Sequence, residues 1–365
     1  VNLESHGGFD FSELRSAGIH PNSLIDFSVN INPYGASPQA LESLHSFDLT
    51  RYPDRHTLEL REALAHANDV TTNHILVGNG AAELIWLIAH AFIQQGDTIL
   101  IAAPTFSDYE RAARACAANI ILFRASPPHF QFDAEALIDQ IKTIQPRLVF
   151  LCNPNNPTGT YLSDSNIKRI AEASSECLLI LDESYRAFVT LSPFGKPPTE
   201  NTIVLRSMTK DFAVAGLRLG YAVATPKWID AMRSYQPTWS VNGAAQVVGL
   251  AALNDMSYLR HTLELTQHNA ATLRESLITL GADVVGSVTH FCLINVGDGA
   301  AWRQQLLHRG CLVRDCASFG LPSHIRIGTR LPKQNRKLVE AWKKISTQNL
   351  MKEGRLHETP SHPIA

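Results

Sequence analysis

From Ile75 onward the chain alternates short apolar runs with stretches whose apolar residues recur at helical spacing. The runs Ile75–Val77, Thr98–Ala102, Asn119–Phe123, Leu148–Cys152, Leu178–Leu181, Thr202–Leu205 and Tyr221–Ala224 predict buried strands. Helical periods over 81–95, 107–117, 133–143 and 164–175 lie between them. Strands interleaved with helices predict an α/β fold, a mostly parallel sheet covered by helices on both faces. Upstream, 37–47 and 56–68 read as helices, and 1–35, rich in Gly, Asn and Pro, as an irregular arm. One long helix is expected from about 242 to 280. Beyond it the pattern changes to strands in 282–296, a helix at 300–309, strands at Cys311–Arg314 and His324–Ile327, and a helix at 332–347. That is a smaller α+β domain. The expected organisation is an arm over 1–35 joining the small domain, a large domain over 36–255, a small domain over 256–349 and a loose polar tail over 350–365.

Composition narrows the partners. The chain has 365 residues, 45% hydrophobic and 18% charged, with a formal net charge of -2. No basic block is present, so nucleic acid or an anionic membrane is not expected as the main partner. No apolar run is long enough to span a bilayer, and the first residues have no apolar leader, which points to a cytoplasmic protein. The six cysteines form no C-x-x-C pair and no convincing metal signature, so reduced thiols and no metal are expected.

The chemistry concentrates at the ends of the predicted strands. Lys210 sits in Arg206-Ser207-Met208-Thr209-Lys210, with Arg218 following after Gly216. Two hydroxyls (Ser207, Thr209) and a guanidinium suit one phosphate, and nearby positive charge favours a neutral, nucleophilic lysine. Asp182 ends an apolar run, where a carboxylate points into the crevice at the strands' carboxyl edge. Tyr185 follows three residues later, and Asn156 lies in the turn Asn153-Pro154-Asn155-Asn156-Pro157-Thr158-Gly159. Gly80, Ala81 and Ala82 open a helix with small residues that let backbone N–H groups approach an anion. Phe106 follows the next strand and suits stacking on an aromatic ring. An amine for a Schiff base, a carboxylate, a phenol and a phosphate cluster are the parts of a pyridoxal 5'-phosphate (PLP) site. Arg326 and Arg330, in the small domain, suit a substrate carboxylate or phosphate. Each residue also has a plain structural role open to it: a cap, a turn, a core aromatic or a surface cation.

Asn153–Gly159, Asp182–Tyr185 and Ser207–Gly220 resemble the signature blocks of fold-type I PLP enzymes in the class I/II aminotransferase superfamily. The resemblance covers nearly the whole chain and fits two branches: histidinol-phosphate aminotransferase and the threonine-phosphate decarboxylase of cobalamin biosynthesis. His6-Gly7-Gly8, Asp26–Pro33, Trp239-Ser240-Val241-Asn242 and Leu312–Ala317 look like the decarboxylase. The resemblance implies that Lys210 carries the cofactor and that Asp182 pairs with the ring nitrogen. Tyr185 and Asn156 would take the ring oxygen, and Phe106 would stack on the ring. Gly80, Ala81, Ala82, Ser207, Thr209 and Arg218 would hold the phosphate. It also implies a homodimer in which Tyr52 reaches the partner's site, with His6, Asn32, Arg326 and Arg330 toward a phosphorylated amino-acid substrate. On this reading the expected reaction is decarboxylation of L-threonine O-3-phosphate to (R)-1-aminopropan-2-ol O-phosphate. The alternatives are amino transfer from histidinol phosphate, decarboxylation of serine phosphate, or a non-catalytic member of the fold. The cofactor motifs do not choose between the reactions.

Overall fold

The computed structural model describes residues 7–352. His6 and residues 353–365 lie outside the described residues. The arm is more ordered than its composition suggests. Asp10 accepts from the backbone N–H groups of Ser12 and Glu13 and so caps a short helix α1 (Phe11–Ser16). Strand β1 (Ile25–Asp26) follows.

Helices α2 (Pro38–His45) and α3 (Leu58–Ala67) lead to β2 (Ile75–Asn79), α4 (Gly80–Phe92) and β3 (Thr98–Ala103). Next come α5 (Asp108–Ala115), β4 (Asn119–Arg124), α6 (Ala134–Ile144), β5 (Leu148–Cys152) and α7 (Asp164–Ala173). The alternation ends with β6 (Leu178–Asp182), a short α8 (Ala187–Thr190), β7 (Thr202–Ser207) and β8 (Leu219–Val223). A helix absent from the periodicity reading, α9 (Pro226–Arg233), follows, with proline in its first turn. The expected long helix is two: α10 (Gly243–Leu253) and α11 (Met256–Thr279), broken at Asn254 and Asp255. The rest is β9 (Asp283–Val284), β10 (Phe291–Asn295), α12 (Gly299–Leu307), β11 (Cys311–Leu312), β12 (Arg314–Asp315), β13 (His324–Gly328) and α13 (Pro332–Lys352). Helix α13 therefore runs past the start of the expected loose tail.

The large sheet has seven strands in the order β2-β8-β7-β6-β5-β3-β4. Strands β4, β3, β5, β6 and β7 are parallel, and β8 runs antiparallel to both β7 and β2. Alternate residues of one strand feed two separate cores. Val149 and Leu151 belong to one, and Leu148, Phe150 and Cys152 to the other. This is why these strands read as continuous apolar runs: both faces are covered.

The second sheet has four antiparallel strands in the order β12-β13-β10-β9. Its core includes Phe27 of the arm, packed with Cys292, Ile325, Ile327 and Trp342. Strand β1 pairs in parallel with β11, Ile25 opposite Cys311. Burying one phenylalanine contributes about 1.5–3 kcal/mol, so Phe27 and this ladder hold the arm on the small sheet. The segment that follows, 28–32, then crosses to the large sheet.

Candidate functional site

Parallel strands β5, β6 and β7 end at the same edge, with Cys152 opposite Asp182 and Asp182 opposite Leu205. Each chain then leaves the sheet and turns, and the first residue past each strand is tied to its neighbour. Asn153 N donates to Asp182 O at 2.8 Å, and Glu183 N to Leu205 O at 2.9 Å. A buried ion pair reinforces this edge, with Arg206 Nη2 2.6 Å from Glu183 Oε2. Such an edge is where open α/β sheets bind ligands.

One cavity at this edge is lined by Ala81, Ala82, Phe106, Asn156, Asp182 and Tyr185. The same cavity is lined by Ser207, Thr209, Lys210 and Arg218. Ten residues singled out from sequence, scattered over 138 positions (81 to 218), thus face one space.

Its phosphate end is built by close approach. Gly80 has φ +77°, and a Cβ there would stand 2.9 Å from Arg218 Nη2. A Cβ on Gly220 would stand 2.6 Å from Ala81 N. Only glycine lets β8, Arg218 and the first turn of α4 meet. The result sets the amino end of a helix, with its unpaired N–H groups, beside a guanidinium. Ser207 Oγ and Thr209 Oγ1 lie 2.6 Å apart on the same cavity wall. A cradle of backbone N–H groups, two hydroxyls and one arginine fits the phosphate of PLP.

At the other end, Asp182 is buried and both its oxygens are held. Tyr109 Oη donates to Oδ2 at 2.6 Å, and Ser184 N to Oδ1 at 2.9 Å. Burial raises the Asp182 carboxyl, while the hydrogen bonds from Ser184 and Tyr109 and the nearby Lys210 lower it. The phenol of Tyr185 is pushed up to about 12 by burial, against the pull of Arg326. Asn30 Nδ2 lies 3.4 Å from that phenol. Lys210 is lowered to about 8, first by burial and then by Arg326 and Arg218, which gives it a far larger neutral fraction near pH 8 than an ordinary lysine has. Phe106 lines the cavity and meets Tyr109 edge-on, with ring centroids 5.7 Å apart.

The substrate-side expectations fare differently. Arg326 is buried, and its Nη1 donates to Asn156 Oδ1, at the cavity. Its Nη2 donates to Ser28 O at 2.6 Å. Its Nε is buried without a hydrogen-bond partner among the described residues. Arg314, not anticipated from sequence, stands directly opposite Arg326 across β12 and β13. Burial and Arg326 together push the Arg314 guanidinium down to about 10. Arg314 Nη2 donates to Ser318 Oγ at 2.7 Å, and two neighbouring buried guanidiniums together favour an anion nearby.

Asn32 is held by several contacts. Its Nδ2 donates to Asp211 O and Thr262 Oγ1 at 3.1 and 2.9 Å, and its Oδ1 accepts from Tyr34 N at 3.2 Å. Its own N–H donates to Lys210 O at 2.9 Å. The amide is held by neighbouring segments, and Asn32 braces the main chain of Lys210. Arg330 does not line the cavity; its Nε donates to Asp26 O, tying the arm to the small sheet. Tyr52 is 80% exposed and stacks on Trp239, with centroids 4.7 Å apart, away from the cavity of its own chain. His6 lies outside the described residues.

Known proteins share this architecture. The chain is 34% identical over 337 residues to a histidinol-phosphate aminotransferase of Symbiobacterium thermophilum, covering 90% of this chain and 92% of that one. It is 34% identical over 362 residues, 94% of its length, to an adenosylcobalamin biosynthesis bifunctional protein of Leptospira interrogans, of which it covers 41%. The histidinol-phosphate aminotransferase of Sinorhizobium meliloti, solved with pyridoxal 5'-phosphate, superposes with a TM-score of 0.84 at 20% identity, over 95% of this chain and 96% of that one. The L-threonine-O-3-phosphate decarboxylase of Porphyromonas gingivalis superposes with a TM-score of 0.77 at 28% identity, over 87% and 98%. The family model for aminotransferase class I and II matches residues 22–341. With that match over most of its length, the chain belongs to the class I and II aminotransferase family, has its fold-type I architecture and uses pyridoxal 5'-phosphate as cofactor.

Proposed function

We propose that this chain acts on a phosphorylated amino compound, with Lys210 as the residue that carries PLP. The observation that supports a phosphorylated substrate is Arg326, buried against Asn156 of the cavity wall with its Nε unpartnered among the described residues, and paired across β12 and β13 with buried Arg314. A dianionic phosphate suits two guanidiniums better than a neutral hydroxyl does, because charge-assisted hydrogen bonds are roughly twice as strong as neutral ones.

When bound, PLP supplies an electron sink that weakens a bond at the substrate's α-carbon. The chain's own groups then have distinct tasks. Asp182 holds a proton at the ring nitrogen. Tyr185 and Asn156 donate to the ring oxygen, and Phe106 covers the ring face. Ala81, Ala82, Ser207, Thr209 and Arg218 hold the phosphate, with Gly80 allowing the approach. The Lys210 amine would carry the cofactor and, as a neutral base, would move a proton at the substrate's α-carbon. Arg326 and Arg314 would bind and orient the distal anion of the substrate.

Amino transfer from histidinol phosphate has the broader support, since enzymes of that name predominate among the curated relatives. Decarboxylation of L-threonine O-3-phosphate, expected from the blocks around Gly7, Asn32 and Trp239, keeps its own support. The decarboxylase of Porphyromonas gingivalis is 28% identical, and the Leptospira interrogans cobalamin protein aligns over 94% of this chain. One experiment separates the two: purified enzyme with PLP is given each substrate, with and without 2-oxoglutarate. Transfer that requires 2-oxoglutarate and releases no CO2 establishes the first reading. CO2 from threonine phosphate without an amino acceptor establishes the second, and no turnover of either defeats both.

A homodimer is part of this reading. Tyr52 and Trp239 form an exposed aromatic pair, and Leu49 and Leu58, close to Tyr52 in sequence, are exposed as well, which suits a second copy. Tyr52 would complete the phosphate site of the partner. Mixing inactive Tyr52→Phe and Lys210→Ala subunits should therefore restore part of the activity, because one site of each mixed dimer is intact. A fully active monomer would sink this assignment. The six cysteines are free thiols.

A further inference from the structure

We propose that Tyr109 is a positioning residue that keeps the shared proton on the cofactor's ring nitrogen instead of on Asp182. This deepens the reading above and rests on Asp182 being the ring-nitrogen partner.

Asp182 is in an unfavourable place for a charge. It ends β6 between two other strands, is 5% exposed, and burial is the largest influence on it, favouring its neutral form. The titratable groups that face it are few. Tyr109 comes from α5, Cys152 from β5 and Lys210 from the turn after β7, and Tyr185 lies three residues on. The Cys152 thiol is pushed well up by burial and then by Asp182, so it stays neutral. Tyr109 is fully buried and raised well above its ordinary value, by burial and then by Asp182. It therefore keeps its proton at every working pH and can only donate to the carboxylate. Its ring is fixed, stacked on Phe150 with centroids 4.9 Å apart and planes 11° apart. The 2.6 Å bond to Oδ2 is thus directed by packing.

The consequence follows from proton sharing. A carboxylate and a pyridine nitrogen in contact hold one proton between them. Lowering the carboxyl's affinity leaves the proton on nitrogen, where it makes the ring electron-poor. Each hydrogen bond to the carboxylate lowers that affinity. Ser184 supplies two, from its side chain and from its backbone N–H, and Tyr109 supplies the one directed at Oδ2. Without its hydroxyl, the basicity of Asp182 rises in a site where burial already raises it, and the proton moves toward the carboxyl.

Tyr109→Phe keeps the stacked ring and removes only the oxygen. PLP labelled with 15N at the ring nitrogen, bound to wild type, to Tyr109→Phe and to Asp182→Asn, reports the proton directly. In wild type the signal is expected in the protonated range. In Tyr109→Phe it should move toward that of neutral pyridine, with kcat down ~10-fold or more, the scale of one strong hydrogen bond to a charged group, and KM nearly unchanged. An unshifted 15N signal and kcat within a factor of about two of wild type would overturn the inference. If instead Asp182→Asn leaves the wild-type signal in place, the ring-nitrogen assignment itself fails. A Tyr109→Phe protein that does not fold is replaced by Tyr109→Met, which fills the site without a donor; its signal should move the same way, and an unshifted signal again overturns the inference.

Discussion

Lys210→Ala should remove the visible absorbance of the bound cofactor and at least ~10²–10⁴-fold of the activity, the range for losing one positioned proton-transfer group. The amine sits at the meeting point of the phosphate cradle and the Asp182 end, and it is the only lysine lining that cavity. Its ordinary value of 10.5 is lowered to about 8, burial coming first and Arg326 and Arg218 after it. The sign of the stability effect follows. Between pH 8 and 10.5 the unfolded chain holds a proton on this lysine that the folded chain has lost. Stability of the cofactor-free wild type should therefore rise with pH across that window through this group, and its cost is fully present below pH 8. The Lys210→Ala protein should lack that rise. Thermal melting of both cofactor-free proteins at several pH values checks it. A variant that keeps the absorbance band and near-normal turnover would show that another amine carries the cofactor.

Lys210 was legible as a candidate because it lies in a compact motif, and the strands were legible because burial on both faces makes them continuously apolar. Asp182, Tyr185, Ser207 and Thr209 were found by their place just at or after such runs, which the parallel sheet brings to one edge. What escaped depends on contacts between distant segments. Tyr109 lies three residues past Phe106 with nothing around it to mark a role. Only the arrival of β6 seventy-three positions later gives its hydroxyl a carboxylate. Arg314 became visible through the register of β12 on β13, a pairing that two-residue strands do not announce. Asn32 was placed toward a substrate by the resemblance; the partners that the fold closes around it come from distant segments and leave no local pattern in the sequence. The break at Asn254 and Asp255 was hidden because helical spacing of apolar residues continues through it, and the capping pattern alone ends α10.

Asp182→Asn should keep the fold and the cofactor and lose activity by ~10²–10³-fold, the scale seen when one preorganised electrostatic group is removed at a reacting centre. The two side chains have nearly the same shape, so the packing against Tyr109 and Cys152 is preserved. The chemistry is inverted. An amide has one acceptor oxygen, whereas the carboxylate here accepts from Tyr109 Oη and Ser184 N on separate oxygens. With Oδ1 retained for Ser184 N, the amide nitrogen takes the place of Oδ2 and presents N–H to the ring nitrogen. A donor there leaves the ring unprotonated and a poor electron sink. The fold does not depend on the charge. Burial disfavours the ionised carboxyl, so its raised value means that the folded state retains a proton the unfolded chain gives up above the ordinary 3.8. By linkage, this group's contribution falls as pH rises from that value toward its folded one, and at neutral pH its burial is a cost. The cofactor-free asparagine variant should accordingly melt at or above the wild-type temperature at pH 7, while turnover collapses. Loss of activity together with a clearly lower melting temperature would mean that Asp182 is needed to hold the strand edge together. Undiminished kcat would mean that the ring nitrogen's partner is another group.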